Sequence, residues 1–467
     1  MDFVVALNSI FWGWLIAGIL LLCGLFYTII LKAPQVRYFF SLIPNLWKAS
    51  RDNSGVSAFG ALCAAVGSEV GAGSLVGVST ALVSGGPGAI FWMWVTAILG
   101  MPIMFGEAVL GQLFRVSNGD GTYRGGPVYY MSKGMNNKVL PTLFAISLIL
   151  GNGGIWCMIQ SNSIASAFSN TAFLPSWCIG IVLVILVGLV IFGGIKRLSS
   201  VASYIVPFMA VTYIALSLVV MMLNYEKIPY MFSVIVESAF GAQQVAGGLL
   251  GYSMQEAFRY GVARGLFSND AGAGTTPSMH AAANVKHPVN QGLSGMLGVF
   301  MTTIVVCSST AFCILLSVDL NSGAVGITLT QQAFSGTFGS WGDWIVAGAM
   351  LLFGYTTLLS NIYYGEINIG WLCSNRQNII QSYRVFACIL VFLGAIVPVV
   401  SLWEVADLCG AFMVLFNVIA LFVLAKYVKF ALVDYKKQMV KGMVPLWDYD
   451  EDIVDLYKKK KGVEKHA

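Results

Sequence analysis

The chain has 467 residues, 57% hydrophobic and 10% charged, with 26 Lys and Arg against 21 Asp and Glu for a net charge of +5; its mean hydropathy is +0.78. Soluble domains carry about 25% charged residues, so the composition excludes one and specifies an all-α polytopic membrane protein. So small a net charge argues against a nucleic-acid surface, and 51 glycines with 13% aromatics suit a closely packed transmembrane bundle.

The N-terminus, MDFVVALNSI, has no basic stretch ahead of its apolar run, so no cleaved signal peptide is evident. Apolar runs of about 20 residues then predict eleven spans: 9–31, 57–84, 88–114, 142–168, 177–195, 201–223, a disrupted one within 233–284, 288–317, 343–364, 380–400 and 405–430. Residues 1–430 form a single transmembrane domain, and 431–467 form a short, solvated basic tail with no second soluble domain. Loops 32–56, 115–141 and 196–200 carry Lys and Arg, and the tail carries lysines; loops 85–87, 169–176 and 318–342 carry neither. Basic loops stay on the cytoplasmic side, so the N-terminus is expected outside and the C-terminus in the cytoplasm, with the plasma (inner) membrane as the location. The nine cysteines fall mostly in apolar runs without metal-ligand spacing and read as small buried hydrophobes.

Two spans are interrupted. The second holds AAVGSEVGAGSLVG (64–77), with four glycines and Glu69. Glycine weakens a helix by roughly 1 kcal/mol relative to alanine, and a carboxylate at membrane depth costs about 2.5 kcal/mol or more. The seventh holds GLFSNDAGAGTT (265–276), flanked by Arg259 and Arg264 and containing Asp270. The favoured reading there is an external helix near 232–248, a half-helix to about 266, an unwound piece at 267–274 and a second half-helix from about 275. The competing reading is a single span at 233–252 followed by a loop. Gly-interrupted segments five spans apart mark the two halves of an inverted-repeat secondary transporter. A channel would need filter loops or charged pore rings, and none is visible. An enzyme is not expected either: the three histidines, His280, His287 and His466, form no HExxH.

Several blocks carry a resemblance. GGPGAIFWMWVTAILG (85–100) is the most specific, followed by RGLFSNDAGAGTTPSMHAAANVKHPVNQGLSGMLGVF (264–300), YYGE (363–366) and QSNSIA (160–165). Across most of its length the chain resembles the alanine or glycine:cation symporter family, the sodium:alanine symporters. The resemblance implies a LeuT-type fold, ten core helices (57–430) in a 5+5 inverted repeat, with 9–31 as one extra N-terminal helix and two broken helices. It implies sodium-coupled import of a small neutral or polar amino acid by alternating access, with Na+ as coupling ion and no organic cofactor. Around 67–74 the chain also resembles the bacterial leucine transporter.

On that resemblance, the N–H groups of Ala72 and Gly73 would hold the substrate carboxylate, with Gln160 alongside; Ser268 would meet the substrate amine, and Asn361 would line the pocket. Sodium would take the carbonyls of Gly67 and Val70 and the hydroxyls of Thr356 and Thr357, with Ser74 near a further sodium position. Blander readings compete: glycines let helices approach closely, Ser and Thr bond their own i−4 carbonyl, and a lone Gln bridges helices. Asn269 and Asp270 suit capping of the unwound segment. Glu107 and Asp407 read as structural partners. The chain departs from typical members at Ala72 (Thr), Ser74 (Asn) and Asn361, where Trp is usual, which implies a larger, more polar pocket than one for alanine. Glu69 is a further departure with three readings: it holds the substrate ammonium or a cationic side chain, it carries a proton coupled to transport, or it pairs with an arginine.

Overall fold

The computed structural model describes residues 2–49, 55–172, 174–241, 254–320, 322–398, 400–449 and 452–465. Helix α1 runs over residues 2–31. Short helical turns at Pro34–Arg37 and Phe39–Ser41 lead to α2 (Leu42–Lys48). The expected second span is a bent pair, α3 (Ala58–Glu69) and α4 (Gly73–Gly85), at 46° to each other. Ser57 starts it by accepting the Gly60 N–H at 3.0 Å, a side-chain cap for a helix start. Then come α5 (Gly88–Leu113), the hairpin β1 (Val116–Ser117) and β2 (Tyr123–Arg124), and α6 (Pro127–Gly134). Helices α7 (Val139–Ala172), α8 (Ser176–Ile191), α9 (Gly194–Leu223) and α10 (Ile228–Ala239) follow.

The second interrupted span is α11 (Met254–Asn269), a break, and α12 (Pro277–Ala282). After it run α13 (Pro288–Ser317), α14 (Ile327–Phe338), α15 (Trp341–Leu372), α16 (Gln377–Ile396), α17 (Val400–Val440) and α18 (Ile453–Lys465). Among the described residues, seven helices are long and apolar enough to cross a membrane, eight with the bent pair counted as one span. Ile16–Leu31 and Ser176–Ile191 are shorter apolar helices, and the count of eleven is reached only with the broken α11–α12 unit. QQVAGGLLGY (243–252), in the expected external helix and the competing single span, lies outside the described residues.

The break differs from the expectation by a few residues. Helix α11 continues through Ser268 and Asn269, and the unwound stretch is 270–276 rather than 267–274. The cause is local: Asp270, Gly272 and Gly274 take φ of 54°, 92° and 79°, which no helix tolerates, and Asn269 Oδ1 accepts the Ala271 N–H at 3.1 Å. Residues 254–269 are helical and α12 is wholly buried, so no plain loop runs over 254–282; the competing span itself lies outside the described residues from 242 onward.

Helices from the two halves interlock: α5 packs along α11 and α13, α7 along α15 and α16, and α3 against α15 as well as against α9 of its own half. Close approach depends on glycine. A Cβ on Gly261 would come 2.5 Å from the Ala89 carbonyl oxygen. The basic loops gather at one end, where Lys196 donates to the Asp120 carbonyl at 3.0 Å and the Arg115 guanidinium lies between the rings of Tyr123 and Tyr449, 3.9 Å from each. The loops without Lys or Arg meet at the other, where Ser79 donates to the Gly326 carbonyl at 2.8 Å.

The tail is not the freely solvated segment expected. The Trp447 N–H donates to the Lys286 carbonyl at 2.9 Å, and Trp447 is 7% exposed. Tyr449 donates to Gln112 at 3.2 Å, and Tyr457 packs on Tyr427 and Phe430. Aromatic residues spaced through the Lys-rich sequence give the tail apolar area to bury.

Candidate functional site

The two breaks flank a cavity with an empty volume of about 680 Å³. Glu69, Gly73, Gln160, Thr357 and Asn361 line it, joined by residues that the sequence reading left out of the pocket: Trp12, Asn152, Trp156, Phe267, Thr275 and Asp407. Three π-helical turns reach it, with Trp12 (Phe11–Leu15), Gly73 (Gly73–Gly77) and Asn152 (Gly151–Ile155), and a fourth (Phe300–Cys307, with Thr303) lies behind the breaks. Such turns free backbone groups and re-aim side chains. GNGGI in α7 was the available sequence signal for Asn152.

At the first break, the Thr357 hydroxyl lies 2.9 Å from the Gly67 carbonyl oxygen and 3.2 Å from that of Ser68; the Thr356 hydroxyl lies 3.0 Å from Gly67 O. Val70, the first residue past α3, is buried beside them. Carbonyl and hydroxyl oxygens converging on a helix break form a donor set that suits a small hard cation. The Ala72 N–H donates to Gln160 Oε1 at 2.9 Å. Gln160 thus places an oxygen where a carboxylate oxygen would sit. Gly71 permits this: a Cβ there would come 2.8 Å from Gln160 Nε2. Ala72 itself is fully buried, whereas Gly73 reaches the cavity wall.

Ser74 and Ser268 are tied together away from the cavity. The Cys307 thiol lies 3.3 Å from Ser74 Oγ and 3.0 Å from Ser268 Oγ, and Ser268 also meets Thr303 Oγ1 at 2.9 Å. Asn269 donates to the same Thr303 oxygen at 3.1 Å. This chain of hydroxyls and a thiol joins both breaks to α13. Asn361 Oδ1 accepts from Asn152 Nδ2 at 3.2 Å, so two amides face the cavity where an apolar wall would otherwise stand.

Glu69 is 2% exposed, and neither carboxylate oxygen has a hydrogen-bond partner among the described residues. Its side chain reaches α13, where a Cβ on Gly298 would lie 3.4 Å from Oε2. Thr302 is beside it, but its hydroxyl donates to the Val299 carbonyl at 3.3 Å. The ionisable groups acting on Glu69 are the acids Asp270 and Glu107. Among the described residues the arginine pairing considered from the sequence is not formed: Arg264 lies 3.3 Å from Asp407, and Arg384 lies 2.7 Å from Glu366. A carboxylate at membrane depth with no cationic partner among the described residues is costly, so it calls for a cation or a proton.

The second break is built differently. Glu107 Oε2 accepts the Gly272 N–H at 2.9 Å, and Oε1 accepts from Asn417 Nδ2 at 2.5 Å. Asn417 Nδ2 also donates to the Gly272 carbonyl at 3.0 Å, and the Tyr130 hydroxyl donates to Asn417 Oδ1. Asp270 accepts from Thr275 at 2.8 Å. One mouth of the cavity is closed by Trp156, Phe267 and Trp403, with ring centroids 4.0 Å (Trp156–Phe267) and 5.6 Å (Phe267–Trp403) apart. The Arg264–Asp407 pair sits against this aromatic layer. Glu107 and Asp407 thus have the partner roles read from their sequence positions.

Comparison with known proteins agrees with this geometry. The profile of the Sodium:alanine symporter family matches residues 1–448. The chain is 40% identical over 446 residues to "Probable sodium/glutamine symporter GlnT" of Bacillus subtilis, covering 95% of this chain and 92% of that one. It is 36% identical over 443 residues to "Sodium/alanine symporter AgcS" of Methanococcus maripaludis, covering 91% and 95%. Among solved structures, the crystal structure of MhsT in complex with L-phenylalanine matches with a TM-score of 0.55 at 14% identity, covering 80% of this chain and 90% of that one. At that identity the likeness speaks for the fold, which is of the LeuT type.

Proposed function

The chain belongs to the sodium:alanine symporter family, a family of multi-pass membrane transporters rather than enzymes, and from that premise we propose that it imports a small polar or neutral amino acid together with sodium. The observation that carries this reading is the first break, where one carbonyl meets two threonine hydroxyls and one N–H meets an amide oxygen. Sodium would replace the hydroxyl contacts and take the carbonyls of Gly67 and Val70 with Thr356 and Thr357; Ser74 would serve a further sodium position. The substrate carboxylate would displace Gln160 from the Ala72 N–H and settle against Gly73, at the positive end of α4. Asn361 would bond a polar side chain. Ser268 would contribute to the amine pocket through its backbone.

Glu69 supplies the negative charge that a bound ammonium needs. A second reading, coupling to a proton, is favoured by the same unpartnered carboxylate. The substitution Glu69→Gln separates them: loss of substrate binding supports the ammonium role, whereas loss of pH dependence with binding kept supports the proton. Access would alternate by parting the Arg264–Asp407 pair and its aromatic layer on one side and the basic end on the other. With the basic end placed in the cytoplasm of the plasma membrane, the aromatic layer faces outward.

A thermal-shift screen of amino acids with and without sodium tests the substrate class. A ligand that binds only the folded state raises stability by mass action. An amino acid that stabilises the protein only in sodium supports the reading. Equal stabilisation in potassium contradicts the sodium assignment.

A further inference from the structure

The basic end of the bundle carries a second, open groove of about 1520 Å³ between the segment 37–45, the turn at Lys286 and the end of α17. Arg37, Lys286 and Lys436 line it, and no Asp or Glu does. Among the described residues, none of these three cations has a carboxylate within salt-bridge distance. Arg37 and Lys32 both act on Lys436 by like-charge repulsion. The acid two residues earlier on α17, Asp434, faces His287 at 3.5 Å and accepts from Gln438 at 2.7 Å.

The groove is held in shape. The Lys286 N–H donates to the Ala49 carbonyl at 3.0 Å, and its carbonyl accepts from Trp447. Asn45 Nδ2 donates to the Asn290 carbonyl at 3.1 Å. Like charges held along one groove on a fixed frame are costly unless an anion joins them.

Its rim identifies the anion's carrier. Val36, Phe40 and Ile43 are 70%, 91% and 61% exposed, and Val440 is 88% exposed. The segment 34–48 connects α1 to the bent span, turning apolar side chains outward beside its cations, which is the composition of a helix lying in the plane of a bilayer interface. Basic pockets at that level bind acidic lipid head groups.

We infer that this groove is a binding site for an anionic phospholipid. The phosphate lies between Arg37, Lys286 and Lys436, and the acyl chains run over Phe40 and Val440. Free phosphate would satisfy the cations but leave the apolar rim uncovered, so the lipid is the better fit.

The test uses the purified full chain in mixed micelles, with thermal stability and native mass spectrometry as readouts and dioleoyl phosphatidylglycerol, dioleoyl phosphatidylcholine and inorganic phosphate as probes. Phosphatidylglycerol should be retained at least fivefold better than phosphatidylcholine and should raise the melting temperature. The double substitution R37E/K436E should abolish the preference, and R37Q/K436Q should weaken it. The melting temperature of each variant in phosphatidylcholine reports whether it folds. K458E, on the exposed face of α18, should leave the preference intact. Equal retention of the two lipids, a preference surviving in folded R37E/K436E, equal loss in K458E, or a shift reproduced by phosphate alone would each overturn the assignment.

Discussion

The two broken spans use their freed backbone in opposite ways. At 270–276 the loose groups are met by fixed partners: Glu107 and Asn417 clasp both the N–H and the carbonyl of Gly272, and Asn269 and Thr275 secure the flanks. At 70–72 the partners are exchangeable. Thr356 and Thr357 share one carbonyl, and Gln160 occupies an N–H that a carboxylate could take. A break sealed by a buried network in which every member is bonded is a scaffold; a break closed by hydroxyls and an amide can admit cargo. Glycine content alone does not distinguish them, because both sequences are glycine-rich.

Substitutions can break this contrast, and the largest effect is expected at the scaffold. Glu107→Ala leaves the Gly272 N–H and the Asn417 amide without their shared acceptor. The expected loss is about 3 kcal/mol of stability, read as a lowered melting temperature in detergent whether or not sodium is present. A smaller and different effect is expected at the exchangeable break. Thr357→Val removes one hydroxyl of matched shape, so the sodium concentration for half-maximal uptake should rise about tenfold or more, equivalent to about 1.4 kcal/mol, while the melting temperature without sodium changes little. Thr357→Ser should restore most of the sodium response. Gln160→Leu frees the Ala72 N–H but removes a polar wall. Its expected effect is a several-fold weaker substrate response with the sodium response kept, measured by the same uptake assay.

The smallest effect lies outside the membrane-spanning segments. His287 Nδ1 accepts the Val289 N–H at 3.2 Å, which requires a neutral ring. Burial holds its pKa below the ordinary value, with the opposing pull of Asp434 insufficient to reverse it. The unfolded chain therefore takes up this proton first. The stabilisation is complete above the unfolded value of about 6.5 and is lost as pH falls below it. His287→Gln should flatten the decline in melting temperature between about pH 7 and pH 5 by about 2 °C.

Much of this was legible in the sequence because hydropathy sets the spans and Lys/Arg asymmetry sorts the loops, and both rest on the bilayer as solvent. The breaks were legible because Gly67–Gly77 and Gly265–Gly274 sit inside apolar runs. The exact unwinding was not: it depends on Asn269 capping and on φ at Asp270. Gln160 on Ala72 needed the third dimension, since 88 residues separate them. The wall formed by Trp12 and Trp156 was missed because an aromatic residue in a span looks like core. The docked tail was missed because its lysines dominate the composition, while Trp447, Tyr449 and Tyr457 do the packing.

The contrast between the breaks is tested most directly by uptake of labelled amino acid into proteoliposomes carrying the wild type or Thr357→Val. The wild type should accumulate substrate only with an inward sodium gradient, and Thr357→Val should accumulate little at the same sodium concentration and recover only when sodium is raised about tenfold, while remaining folded. Wild-type uptake undiminished in sodium-free buffer, or a Thr357→Val variant with unaltered sodium dependence, would contradict the assignment of the first break as the cargo site.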